Sequence, residues 1–493
     1  MVLSSGAAFG ATSTFDVTRF QARCNGSSDD TTAIQRAESA AARAGGGVVR
    51  LPRGKCVIST GIAWDSNVTL KGAGMNETTL VASPRFAFDP NRVRPGNDGK
   101  YIGMIWLDGP SGTGPLRNVT IENLGFDPRA GTQSFTLSSN GTYQCIVGYL
   151  RPLQHLRVEN VRFDLGANTR PYFGINIGPK GFIGFNDYSL GVDPRNPSFD
   201  LYFHHIVSHN GSGTVQMALE GTTREGVTSS AHDIRIDDVE AFVDQNNIDD
   251  DRVVIDGVSH PAAGQLGRIS NVEISNVTTT VADSVSVGAA NAVKINPATN
   301  TIVNHVRINN IRYRGSRYGA YGAPLNASSK NGSGFPLSLL ANVPNGFVRD
   351  VVVQNIFATN SNGILVGLGA EPGAAVDTVL SNVTLLNCYS GGAAIDFAAT
   401  SPSTGRDRLL LRNFRVVASP TATSAWPAPI GIYFLPHDGG SGLRGQVQLQ
   451  NGKIVGYPKP VAVLPGFDGL ELRGVRWNSG SPILRSAVKV SAP

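Results

Sequence analysis

Charge is scarce in this chain. Asp, Glu, Lys and Arg make up 16% of its 493 residues, against about 25% in an ordinary soluble domain. The net charge of +5 is mild, and the basic residues are scattered, with no Lys/Arg block interleaved with aromatics. Nucleic acid is therefore not an expected partner, whereas the balance suits an acidic or a neutral glycan. Long apolar runs are missing too: no stretch of 18 apolar residues occurs, so no helical membrane span is expected. Met1–Ala11 (MVLSSGAAFGA) is small and apolar like the tail of a secretory signal peptide, but lacks its basic start. A secreted or periplasmic location is the expectation. The cysteines number four. Cys24 and Cys56 flank the first helix and first strand and would clip them together in an oxidising compartment. Cys145 and Cys388 fall within strand runs and read as small core residues.

What the chain does have is glycine, 58 residues of it, and a periodic asparagine. Short β-like runs end on the same small polar residue: Asn123 in VTIEN, Asn160 in LRVEN, Asp238 in IRIDD, Asn276 in VEISN and Asn310 in VRINN. The series continues with Asn355, Asn387, Asn413 and Asn451, and His205 in LYFHH fills the slot after Asn160. Most of these intervals fall within the period of about 20–50 residues that marks a solenoid. A stacked turn explains the spacing, because Asn tolerates the left-handed conformation and its amide can bond the same residue one coil along. A solenoid also accommodates a chain longer than a usual compact domain, since each coil packs only on its neighbours. Sequons such as Asn118-Val119-Thr120, Asn276-Val277-Thr278 and Asn382-Val383-Thr384 coincide with the repeat, so they read as structural.

The start of the chain reads as a cap. Asp29-Asp30 precede a helix over about 31–44, with Ala33, Ile34, Ala37, Ala40 and Ala41 on one side and Gly45-Gly46-Gly47 as its stop. Such a helix would cover the open edge of the first coil. The expected organisation is a possible signal remnant or disordered end over 1–13, a cap over 14–60, coils over 61–457 and a closing segment over 458–493.

The run Gly26-Ser27-Ser28-Asp29-Asp30-Thr31-Thr32-Ala33-Ile34-Gln35, followed by Gly-Gly-Gly-Val-Val and Leu-Pro-Arg-Gly, closely resembles the opening of pectin-lyase-like proteins. That superfamily includes pectate lyases, polygalacturonases, alginate epimerases and tailspike depolymerases. The resemblance implies an all-β, right-handed parallel β-helix with an N-terminal capping helix, acting on a polysaccharide or oligosaccharide. It does not choose among activities. Trimers are frequent among tailspike relatives, so a monomer and a homotrimer both stay open.

A second run in each coil can be aligned on its alternation: Gly174–Gly178, Gln216–Gly221, Arg252–Gly257 and Ala292–Asn296. Aliphatics would point inward, leaving one outward file of Gly178, Glu220, Asp256 and Asn296, and a second of Asn176, Ala218, Val254 and Lys294. Glu220 and Asp256 would then be stacked carboxylates on adjacent coils. Two such groups push one pKa upward, so one can donate a proton while the other stays ionised, as glycoside cleavage requires. Asp249, Asp250 and Asp251 enter the same strand and extend the candidate catalytic set. Arg252 and Lys294 flank it and could hold a carboxylate or sulfate. Asn176, Asn296, Asp396, Tyr188 and His260 are candidate substrate contacts. The expected function is a glycoside hydrolase without metal or cofactor. The second reading is a lyase or epimerase of uronic-acid chains with a Lys or Arg base, in which the Asp cluster could hold Ca²⁺; the third is a glycan-binding β-helix without catalysis. The motifs of polygalacturonases and alginate epimerases are incomplete: an Asp-Asp is present, Gly-His-Gly is absent, and Asp127-Pro128-Arg129 only echoes Asp-Pro-His-Glu.

Overall fold

The computed structural model describes residues 13–87, 101–109, 114–129, 142–148, 151–166, 172–177, 197–211, 213–219, 230–245, 250–257, 267–283, 285, 290–297, 301–316, 334–341, 346–368, 375–388, 393–399, 407–418, 430–436, 444–463, 468–484 and 489–491. Among these, long and short strands alternate along the chain. The long ones build a 19-stranded sheet and the short ones a 13-stranded sheet. Strand Leu153–Gly166 pairs in parallel with Leu116–Asp127 and with Ser198–Asn210, skipping the short strand on either side. Parallel neighbours need a crossover, and here each sheet serves as the crossover of the other. The result is a parallel β-helix, right-handed as such crossovers are.

Register holds from coil to coil. Ile121, Val158, Phe203, Ile236, Ile274, Ile308 and Val353 face one another in a single file, and all are buried. One slip of register would turn that file outward, so the apolar pattern itself fixes the stack.

The long strands bend at two left-handed corners five residues apart. One corner carries Asn118, His155, Asp200, Asp233, Asn271, His305, Asp350 and Asp377, and the other Asn123, Asn160, His205, Asp238, Asn276, Asn310 and Asn355, all at positive φ. The second corner is the asparagine series read from the sequence. Its side chains bond along the axis: Asn160 Nδ2 to Asn123 Oδ1 at 3.1 Å, Asn310 to Asn276 at 2.7 Å and Asn382 to Asn355 at 3.0 Å. His205 and Asp238 continue the ladder at 2.7 Å. The expected slot for Asn387 belongs instead to Asn382, because Gln354 faces Ser381 and Ile356 faces Val383. Asn387 is left-handed as well, but lies five residues further on.

At the N-terminal end the helix Thr31–Arg43 is tied down by the motif residues. The Asp29 carboxylate accepts from the Thr31 amide at 3.0 Å and the Ser59 hydroxyl at 2.6 Å. Asp30 accepts from the amides of Arg23 and Cys24, at 2.7 and 3.1 Å. Gln35 pairs its amide with the backbone of Ala63 in both directions, at 3.0 and 3.2 Å, clamping the helix to the first short strand, Ile62–Ala63. The chain leaves the helix through Gly45 at φ 85°, a left-handed stop that glycine takes without strain. Cys24 and Cys56 form a disulfide, and Cys145 and Cys388 are buried free thiols.

Candidate functional site

The short-strand sheet carries the candidate site, and its register decides which side chains meet. One file in register reads Val147, Asn176, Gln216, Val254, Lys294, Ser338, Leu365, Asp396 and Tyr433. The expected file had Ala218 in place of Gln216, a shift of two residues. Consequently Asp256 faces Ala218 on one side and Asn296 on the other. The expected stack of Glu220 directly on Asp256 is not formed by this register. The reason lies in the aliphatics used for alignment: Val215 and Met217 match Val253 and Ile255, whereas the sequence offers Met217 and Leu219 as an equally alternating pair.

Arg252 is a second correction. Expected to point at substrate, it is completely buried. Its guanidinium donates to the carbonyls of Asn210, at 2.9 Å, and Gly211, at 2.6 Å. Strict alternation fails here. Asp251 and Val253 are register partners of Asn291 and Val293, and both Ala292 and Val293 point into the core. The residue just before the regular run therefore turns inward, and Arg252 closes off a bend instead of lining a groove.

Asp251 and Lys294 do meet. Lys294 Nζ lies 2.9 Å from Asp251 Oδ2, with both side chains about one-fifth exposed. The other carboxylate oxygen of Asp251 accepts from the Asn291 amide. Asn291 is held in turn by the Phe335 amide, which donates to its Oδ1 at 2.9 Å. Asn291 is the site residue that sequence reasoning missed. Its signal was its place opposite Asp251, visible once Val253 is aligned with Val293. The cluster puts a cation and a carboxylate, braced by an amide, at the solvent edge of one face. Asp251 Oδ2 is engaged by the Lys294 ammonium, and the side chains of Asp249, Asp250 and Asp256, with which it would share a Ca²⁺, lie outside the described residues. The described residues contain one close group of acid and sulfur side chains, Cys24, Asp30 and Cys56, and its cysteines are consumed by the disulfide.

Of the remaining candidates, Asn296 is half-buried at the end of strand Ala290–Asn296. For Asp250, Asp256, Asn176 and Asp396 the backbone position is described: Asp250 faces Ala290, and Asp396 faces Leu365 and Tyr433. Glu220, Asp249, Tyr188 and His260 lie outside the described residues. The histidines near the site serve the long-strand corners. His204 contacts Asp237 at 3.1 Å and His209 contacts Asp244 at 3.0 Å.

Residues 14–163 match the model of the family described as "Rhamnogalacturonase A/epimerase, pectate lyase-like". Mannuronan C5-epimerase AlgE3 of Azotobacter vinelandii is 29% identical over 252 residues, covering 42% of this chain and 14% of that protein. AlgE4 of the same organism is 28% identical over 222 residues, covering 34% and 37%. The chain thus spans well under two thirds of these relatives. Among solved structures, PfbA, a surface adhesin of Streptococcus pneumoniae, superposes with a TM-score of 0.49 at 12% identity, over 90% of both chains. The winding of the backbone gives the fold, a right-handed parallel β-helix, and over residues 14–163, which hold the capping motif and its bonds, the chain is similar to the pectate lyase-like family.

Proposed function

We propose that the protein is an exported, polysaccharide-active enzyme whose short-strand face works on uronic-acid chains, as a C5-epimerase or lyase. The observation that carries this is the Lys294–Asp251 pair braced by Asn291. Removing the proton next to a sugar carboxylate needs a cation on that carboxylate and a base at the C–H. The pair supplies one of each within a single hydrogen bond. As the cationic partner of an ion pair, Lys294 fits the carboxylate-binding role better than the role of base. An arriving sugar carboxylate takes over Lys294, and the freed Asp251 accepts the C5 proton, with Asn291 holding it in place. A proton delivered from water to the opposite face of C5 gives the epimer; breaking the C4–O4 bond, with the leaving O4 protonated from water, gives chain cleavage with a new C4–C5 double bond. The matches to mannuronan C5-epimerases support this class over hydrolysis, and the Cys24–Cys56 disulfide supports an oxidising compartment.

The test is a panel of polymannuronate, polygalacturonate and neutral glucans. The products are read by uronate composition, by absorbance of unsaturated ends and by reducing ends. Epimer or unsaturated product is expected, with a loss of about a hundredfold or more in Lys294→Met and Asp251→Asn. New reducing ends without unsaturation would instead select a hydrolase built on Asp256 and its neighbours. Full activity in both variants would remove the site from this pair.

A further inference from the structure

A second face of the β-helix carries a feature that the short-strand site does not use. Beyond the asparagine corner, the long strands present an outward file in strict register: Arg312, Phe357, Thr384, Arg415, Lys453 and Arg476. Arg314 lies beside Arg312 on the same strand, Thr301–Arg314. At one strand spacing per coil the file runs about 24 Å. Its cations are exposed, and none of them makes an ion pair among the described residues. Four other arginines of this sheet are each paired with a carboxylate: Arg157 with Asp200, Arg162 with Asp164, Arg307 with Asp350 and Arg408 with Asp377. Arg415, Lys453 and Arg476 stand directly opposite one another on neighbouring strands, an arrangement of like charges that costs stability. A bound polyanion would offset that cost.

The start of the file opens into a groove of about 600 Å³ lined by Thr278, Arg312, Arg314, Phe357 and Thr384 among others, with no carboxylate in its lining. Phe357 is 48% exposed there, an apolar ring amid guanidinium groups and hydroxyls. We infer that this face is a second binding site, for an extended anionic polysaccharide. Its carboxylates would lie along the cations, and one sugar ring would lie on Phe357. A single file of charge with one exposed ring suits a linear glycan. A single-stranded nucleic acid would call for a series of stacking aromatics. The site is independent of what chemistry the Lys294 face performs.

Binding is tested with a labelled polygalacturonate oligomer, a neutral glucan oligomer and duplex DNA, in the Lys294→Met background so that the short-strand face is weakened. Two double variants are compared with it, Arg312→Gln/Arg314→Gln and Arg415→Gln/Lys453→Gln, and thermal unfolding verifies that each is folded. The uronate oligomer should bind, more weakly as salt rises, and each double variant should lose about tenfold in affinity. The proposal is overturned by any of three results: Lys294→Met alone abolishes binding, both double variants bind as tightly as the background, or the neutral glucan or DNA binds as well as the uronate.

Discussion

Glu38 offers a prediction that follows from position alone. It sits in the capping helix, fully buried. One carboxylate oxygen accepts from the Asp65 amide at 3.0 Å, and the other from Gln35 at 2.9 Å and Ser39 at 3.3 Å. Burial pushes its pKa up to about 7 from an ordinary 4.5; the Asp65 amide and the Gln35 and Ser39 side chains oppose the rise, and the Asp65 carboxylate adds to it. A carboxyl with a raised native pKa binds more protons folded than unfolded. Its contribution to stability is therefore fully present below pH 4.5 and is lost as pH rises through 7. The full span is worth about 3 kcal/mol, most of which falls between pH 5 and 8. Glu38→Gln keeps an acceptor for the Asp65 amide and a donor that Ser39 can accept, but cannot titrate. Urea unfolding of wild type and variant at pH 5 and 8 gives the difference, with other titrating groups cancelling. Hydrogen exchange of the helix amides reports on the cap itself, since end coils of a solenoid can open separately. The wild type should lose about 2–3 kcal/mol more than the variant across that interval. Equal losses in the two proteins would refute the reasoning.

Other substitutions address the rest of the stack. Arg252→Met should cost about 3 kcal/mol by orphaning the carbonyls of Asn210 and Gly211, while oligosaccharide affinity of the folded fraction stays unchanged; lost affinity at unchanged stability would restore the substrate-contact reading. Asn310→Ala removes a ladder bond and the polar side chain that lets this position tolerate φ 59°, for about 2 kcal/mol, whereas Asn310→Gly loses the same bond but relieves the backbone and should cost about half as much. Equal effects of the two would show that the left-handed backbone contributes nothing there. Replacing Cys24 and Cys56 by serine opens a link of sequence separation 32 and should lower stability by about 3–4 kcal/mol. A thermal midpoint unchanged by the double substitution, and by reductant in the wild type, would contradict that.

The β-helix was legible because its cause repeats. Each coil needs the same left-handed corner, so Asn123, Asn160, Asn276 and Asn310 recur where the backbone demands them. The companion corner stayed hidden because Asn118, His155, Asp200 and Asp233 differ in residue type, although all share its backbone conformation. The capping helix was legible for a local reason, a motif whose Asp29, Asp30 and Gln35 each have an identifiable backbone or hydroxyl partner. The site was harder. Its geometry depends on register across some forty residues, and alternating aliphatics such as Val215, Met217 and Leu219 allow two alignments that differ by one pleat repeat. Choosing the wrong one displaced the expected carboxylate stack. The Arg252 error has another origin: a bend put two successive residues inside, which no period-two rule anticipates.

The two corners keep their distance of five residues wherever both occur from Asn118 to Asn382, yet successive residues of the asparagine corner stand anywhere from 27 to 45 positions apart. All the slack in length therefore resides in the connections between strands, and the frame does not register it. Such a scaffold can acquire or shed loop material without re-fitting its interior, so changes of ligand preference can proceed by editing connectors alone. Grafting a connector from a relative should succeed most readily when both of its anchor strands retain their facing aliphatics.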